Sequence, residues 1–185
     1  KEGYVCIASS QTNGRGRMGR NFFSPDKSGL YLSIILRPEI SVQSSALITT
    51  AAASAVARAI DFLSGENSKI KWVNDIFVKG KKVCGILTEA STAVEEGRLD
   101  YAVLGIGVNV YAPSGGFPKE IENIAGCVFD KQKSDMKNRL TAKILDNFYE
   151  YYKNLENRGF VECYKEKQLA VGKDITVISA GARYT

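Results

Sequence analysis

Histidine is absent from all 185 residues. That absence excludes Ser–His and Cys–His nucleophile pairs and histidine-ligated zinc. Any chemistry performed here rests on Lys, Arg, carboxylates, backbone amides or a hard metal ion. Cysteine is scarce: Cys6, Cys84, Cys127 and Cys163 lie far apart and lack the paired spacing of a metal site. They read as small core residues in a reducing, cytoplasmic setting, and only Cys84, beside Lys82 and Gly85, stands near suspected chemistry. No run of about 18 consecutive apolar residues occurs, so no membrane span is expected. The start at Lys1 carries no signal-peptide pattern and no initiator Met, so the chain reads as a piece of a longer one. Internal repeats and low-complexity tracts are missing as well.

What is present is enough apolar sequence for a sizeable core, 44% hydrophobic residues, in a length that suits one domain with a small appendage. The formal charge of +5 favours anionic ligands without demanding nucleic acid. Val5 to Ala8 reads as a short strand, residues 9–28 as a polar, Gly-rich loop of a length that is usually functional, and Leu30 to Leu36 as strand. Ile48, Ala52, Val56, Ile60 and Leu63 share one face of a helix over Ser44 to Leu63, which Gly65 ends. Strand is expected at Ile70 to Trp72 and Ile76 to Val78, then a Lys79-Gly80-Lys81 hairpin and a return strand from Val83 to Glu89. Tyr101 to Val110 is a further strand in which Leu104, Ile106, Val108 and Val110 share one parity and Gly105, Gly107 and Asn109 the other. One of its faces is therefore built for core and the other for a flat ligand. An amphipathic helix follows over Leu140 to Leu155, then a shorter one around Phe160 to Gln168. Asp174 to Ile178 begins a strand with too little chain left to pair within its own unit. The order predicts an α+β fold, a mixed and mostly antiparallel sheet with helices packed on one face.

Three stretches carry chemistry. "NGRGRMGR", Asn13 to Arg20, packs three arginines among glycines. Glycines let backbone amides face one anion, and guanidinium forks add donors worth roughly 1.5–3 kcal/mol each. A phosphate is expected to order this loop; the plainer alternative is an RNA-binding or solvated basic loop. "KWVNDIFVKGKKVCGILTE", Lys71 to Glu89, crowds Lys71, Lys79, Lys81 and Lys82 around Asn74 and Asp75. The Asn-Asp pair is either a turn or a hold on a nucleotide or a magnesium-bound phosphate, and Lys82 either a surface charge or an ammonium that offsets charge on a phosphorus-centred transition state. "GIGVN", Gly105 to Asn109, brings glycines into a strand, where they also mark bulges.

In this order the three blocks resemble the signatures of the biotin protein ligases across nearly the whole chain. The resemblance implies a catalytic domain over residues 1–169 of the synthetase-like fold shared by biotin and lipoate ligases, and the beginning of a small C-terminal β-domain over residues 170–185. It implies ATP and biotin as substrates, Mg2+ with the ATP, biotinyl-5′-AMP as intermediate, and a lysine of a biotin carboxyl carrier protein as acceptor. By similarity Lys82 and Arg17 are the catalytic candidates, with no resident metal site. Gln11 and the loop residues Gly14, Arg15, Gly16, Arg17, Met18, Gly19 and Arg20 would contact biotin and its adenylate. Phe22 would cover the ligand, Lys82, Gly85, Gly105 and Gly107 would line it, and Asn74, Asp75 and Asn109 would hold the nucleotide. Lys82 and Gly85 have opposite parity, so both face one site only if the strand carries a bulge. The family's Pro is Val73 here, and Met18 replaces the second of two adjacent arginines. A Ser/Thr-Asn segment that helps hold the biotin ring is expected upstream of Lys1, and DNA is a partner only if a further N-terminal domain exists. Homodimerisation is also implied. A lipoate or octanoate ligase, or a non-catalytic biotin- or RNA-binding module, are the alternative readings.

Overall fold

A computed structural model of the chain describes residues 1–93, 97–179 and 182–184. Six strands form one sheet in which every neighbouring pair is antiparallel: β1 (Val5–Ala8), β2 (Gly29–Leu36), β3 (Lys69–Lys71), β4 (Asp75–Val78), β5 (Lys81–Ala93) and β6 (Arg98–Asn109), in the spatial order β1-β2-β6-β5-β4-β3. Alternation decides the faces. Leu30, Leu32, Ile34 and Leu36 of β2 and Leu104, Ile106 and Val108 of β6 are buried on one side. Tyr31, Ser33, Gly105 and Gly107 stand on the other, and the register pairs Tyr31 with Gly107 and Ser33 with Gly105.

The helix α1 (Ala46–Ser64) lies on the apolar face against β3, β4 and β5. Its alanines allow that close approach, and Ala51, Ala52, Ala53, Ala55, Ala57 and Ala59 are wholly buried. The helices α2 (Met136–Tyr152) and α3 (Val161–Lys167) pack on α1 from its other side. A helix packed between a sheet and two other helices is apolar over most of its surface, and here only its outer edge, with Arg58 and Phe62, is exposed. This explains why Val42–Ser64 is long and apolar enough to cross a membrane by composition; here it is the core helix. Asn147 Nδ2 donates to the Ala55 carbonyl (3.1 Å) and Ser54 Oγ to the Phe160 carbonyl (3.2 Å), so the polar groups at this packed interface have partners. Gly65 ends α1 with φ 75°, its N–H on the Asp61 carbonyl.

Lys79 and Gly80 both have positive φ, 50° and 75°, the two-residue turn that matches the twist of β4 and β5. The strand expected near Asp174 does find a partner: β7 (Val177–Ser179) pairs with β8 (Ala182–Tyr184) as a separate two-stranded sheet. The pairing that the short remaining sequence was expected to lack is therefore present. Ala180, Gly181 and Thr185, within the anticipated β-domain, lie outside the described residues. Of the four cysteines, all free thiols, only Cys84 is a core residue; Cys6 is exposed and Cys127 and Cys163 are half-buried.

Candidate active site

The outer face of the sheet, opposite the helices, carries a cavity of about 470 Å³, within the few hundred to one thousand Å³ common for small-molecule sites. The 9–28 loop forms one wall and the turn between β3 and β4 another. From the sequence candidates it gathers Gln11, Arg15, Gly16, Arg17, Met18, Arg20, Phe22, Asn74, Asp75, Lys82, Gly85, Gly105 and Gly107. Gly19 lines an adjoining groove instead. Gly14 and Asn109 lie outside both linings. Gly14 packs where a Cβ would stand 2.4 Å from the Phe22 carbonyl and 2.6 Å from Ser24 Oγ. Asn109 Nδ2 donates to the Gly126 carbonyl (3.0 Å).

A bulge resolves the parity conflict on β5. Across β4, Ile76 pairs with Cys84 but Phe77 pairs with Lys82, so Val83 has no counterpart. The extra residue turns Lys82 back to the face of Gly85, and both line the cavity. Val83 and Cys84 are consecutive yet both buried, as the bulge requires. Burial also pushes the Cys84 thiol well above its ordinary range, so it is a protonated core group and no nucleophile.

Lys82 Nζ lies 2.6 Å from Asp75 Oδ1. Arg17 donates to Asn74 Oδ1 at 3.2 Å. Asn74 is itself anchored to β5 twice, its Nδ2 on the Ile86 carbonyl (2.8 Å) and its carbonyl receiving the Ile86 N–H (3.0 Å). Two cations from separate parts of the chain are thereby held at the adjacent residues 74 and 75. The Trp72–Val73 peptide that enters this turn is cis. The four lysines do not crowd together as expected. Lys79 pairs with Glu66, Lys81 bonds to the carbonyls of Glu122 and Asn123, and only Lys71 and Lys82 line the cavity. The hairpin turn and the β-strand pleat carry the other two away.

The arginine loop folds back on itself through backbone hydrogen bonds. Phe22 N–H bonds to the Gly14 carbonyl (2.8 Å) and Gly16 N–H to the Arg20 carbonyl (2.7 Å), closing a small hairpin. At its tip Met18 is 90% exposed with φ 56°. The hairpin delivers Phe22 onto the glycines of the sheet. A Cβ on Gly107 would stand 2.5 Å from the Phe22 ring, and one on Gly85 3.1 Å from it. The flat group against that pair of glycines is thus the chain's own phenyl ring, which lies edge-on to Tyr31 (6.5 Å, 76°). Only Gly105 faces open cavity, with Leu87 O at 3.5 Å as its sole near neighbour.

Lining residues that sequence reasoning did not single out include Ser33, Trp72, Leu87, Glu89 and Val103. The signal was present for two of them: Ser33 is the polar break in the run "LYLSIIL", and Leu87 shares the parity of Gly85.

The sequence model of the biotin/lipoate A/B protein ligase family matches residues 1–109. This chain belongs to that family. The bifunctional ligase/repressor BirA of Bacillus spizizenii is 44% identical over 124 residues, 67% of this chain and 38% of that protein. A biotin–[acetyl-CoA-carboxylase] ligase of Mycobacterium tuberculosis is 27% identical over 98% of this chain and 67% of its own length. Among solved structures, a biotin protein ligase from Aquifex aeolicus in complex with biotin and ATP superposes with a TM-score of 0.78 at 27% identity, covering 98% of this chain and 75% of that one. The chain spans little more than a third of the length of the BirA relatives it matches, 38% for the Bacillus protein and 34% for that of Escherichia coli. The α+β fold expected of the biotin/lipoate ligase family is the fold observed.

Proposed function

We propose that this chain is the catalytic core of an ATP-dependent biotin ligase. The observation that carries the reading is the turn at Asn74–Asp75, which gathers Arg17 and Lys82 at the end of a cavity otherwise floored by Gly105 and Leu87. In the first step a carboxylate oxygen of biotin attacks the α-phosphorus of ATP. The bond from that phosphorus to the bridging oxygen breaks, and pyrophosphate leaves with its electron pair. In the second, a neutral lysine amine of a carrier domain attacks the acyl carbon of biotinyl-5′-AMP, AMP departs, and the amine proton is lost to solvent.

Neither step needs histidine or a covalent enzyme intermediate. Charge develops on phosphoryl oxygens in the first, and positioned cations stabilise it without reorganising. Lys82 and Arg17 occupy that role. Arg15 and Arg20 face the same space from the loop and accommodate the remaining phosphate charge. ATP arrives as its magnesium complex. Its cation would travel on the nucleotide's own phosphates. The free thiols favour a reducing compartment such as the cytoplasm.

The test is ATP–pyrophosphate exchange dependent on added biotin. Exchange with biotin and none with lipoate supports the reading. Exchange with lipoate alone transfers the chain to the lipoate branch of its family, and none with either acid removes the proposal.

A further inference from the structure

We propose that Tyr164, on α3 and on the opposite side of the sheet's edge from the ligand cavity, is a positioning residue for the Asn74–Asp75 turn. The inference rests on the ligase reading above for its kinetic consequence but not for its geometry. Tyr164 is nearly buried, 7% exposed, and its hydroxyl donates to the Val73 carbonyl at 3.0 Å. Its ring meets Trp72 edge-on, centroids 6.4 Å apart and planes at 74°. Among the described residues this is the only hydrogen bond from α1, α2 or α3 to residues 72–75.

That bond fixes the peptide directly before Asn74. Asn74 and Asp75 in turn hold Arg17 and Lys82, so an error at Val73 is passed to both cations. The β5 side of the turn is secured by the paired bonds to Ile86; the helical side has Tyr164. The chain beyond α3 reinforces this brace, with Leu169 N–H on the Ile70 carbonyl (2.9 Å). Catalytic geometry tolerates little misplacement, and a hydroxyl aimed at one carbonyl of a ligand-holding turn is a device for limiting it.

Trp72 is the sole tryptophan of the chain, so its fluorescence reports on this turn without any ligand. Tyr164→Phe keeps the ring and removes the hydroxyl. The expected result is lower Trp72 anisotropy in the ligand-free chain. In biotin-dependent pyrophosphate release, kcat should fall about three- to tenfold, the equivalent of one hydrogen bond, while KM for biotin changes less than about twofold. Combined with Asp75→Asn the losses should be less than additive, because both act through one turn. A merely structural tyrosine would lower the melting temperature yet leave anisotropy and kcat at their wild-type values, and that result overturns the proposal, as does full additivity. Lower anisotropy in a chain whose wild type releases no pyrophosphate would sustain the positioning role and remove the ligase reading instead.

Discussion

Gly105 and Gly107 are neighbours in alternation on β6, chemically identical, and predicted to respond oppositely to a methyl group. At Gly107 an added Cβ would stand 2.5, 2.8 and 3.0 Å from three atoms of the Phe22 ring. Carbon pairs rest at about 3.5 Å, so the ring must retreat by about 1 Å, away from Gly107 and into the cavity. Overpacking of this kind costs about 1–3 kcal/mol, and the lower part of that range applies because Phe22 is half-buried with open space above it. At Gly105 the nearest atom is Leu87 O at 3.5 Å, an ordinary contact, and the methyl projects into the space a ligand would fill. Both substitutions restrict the unfolded chain to a similar degree, so the difference between them isolates the steric effect. Gly107→Ala should melt about 2–8 °C below Gly105→Ala, taking about 1–2 kcal/mol at about 2–4 °C per kcal/mol for a chain of this size. Adding Phe22→Leu to Gly107→Ala should recover part of the loss. Calorimetric titration with biotin should show weakened binding for Gly105→Ala despite its unimpaired stability. Equal melting temperatures for the two alanine variants, or no recovery in the double variant, would refute the assignment of Phe22 to the glycine pair.

Lys82→Ala removes the cation paired with Asp75, and kcat for adenylate formation should fall about 100- to 1,000-fold, the cost of losing one preorganised donor at a developing charge; unchanged adenylation measured by pyrophosphate release would dismiss its assigned role. Arg17→Gly breaks the contact to Asn74 and opens the loop, so activated biotin should escape and label bystander lysines, and labelling confined to the carrier domain would count against that assignment. Burial pushes the Tyr31 and Tyr164 hydroxyls up to about 12 against about 10 in an unfolded chain. Raised folded-state values mean that this contribution is fully present below pH 10 and is lost between about pH 10 and 12 as the unfolded chain ionises first. Ultraviolet titration should resolve a late-ionising class of tyrosines, and melting temperature should begin to fall above pH 10.

The alternation of β6 was readable because period two is a local property, and Leu104, Ile106 and Val108 are buried as it requires. The three signature blocks also pointed to residues that do converge, since Arg17 reaches Asn74 across 57 positions and Lys82 meets Asp75. What local pattern could not supply was the content of the space between elements. Nothing near Gly85 or Gly107 announces that Phe22 occupies their missing side chains, because that contact joins residues more than sixty positions apart. The bulge at Val83 was visible only as a contradiction between Lys82 and Gly85, two apolar residues in succession being equally compatible with a regular strand. Lys81 shows the same limit. It sits beside the catalytic candidate in sequence, yet its ammonium is committed to the carbonyls of Glu122 and Asn123, on a segment whose path the sequence does not disclose.

On the proposed ligase reading, the closed arginine hairpin bears on how anion binding would divide its free energy. Ordering a backbone costs about 1–2 kcal/mol per residue, so a loop that stayed disordered from Gly14 to Phe22 would consume most of the gain from several phosphate contacts. The bonds Gly14–Phe22 and Gly16–Arg20, the Phe22 ring on its glycine pair and the Arg17–Asn74 contact all constrain that segment. On the proposed ligase reading, each constraint that the chain itself places on this segment lowers the share of ordering that a triphosphate would have to supply. The Phe22 contact belongs to that set of constraints: it ties the arginine-bearing hairpin to the sheet through a ring packed on Gly85 and Gly107, without engaging the guanidinium groups themselves.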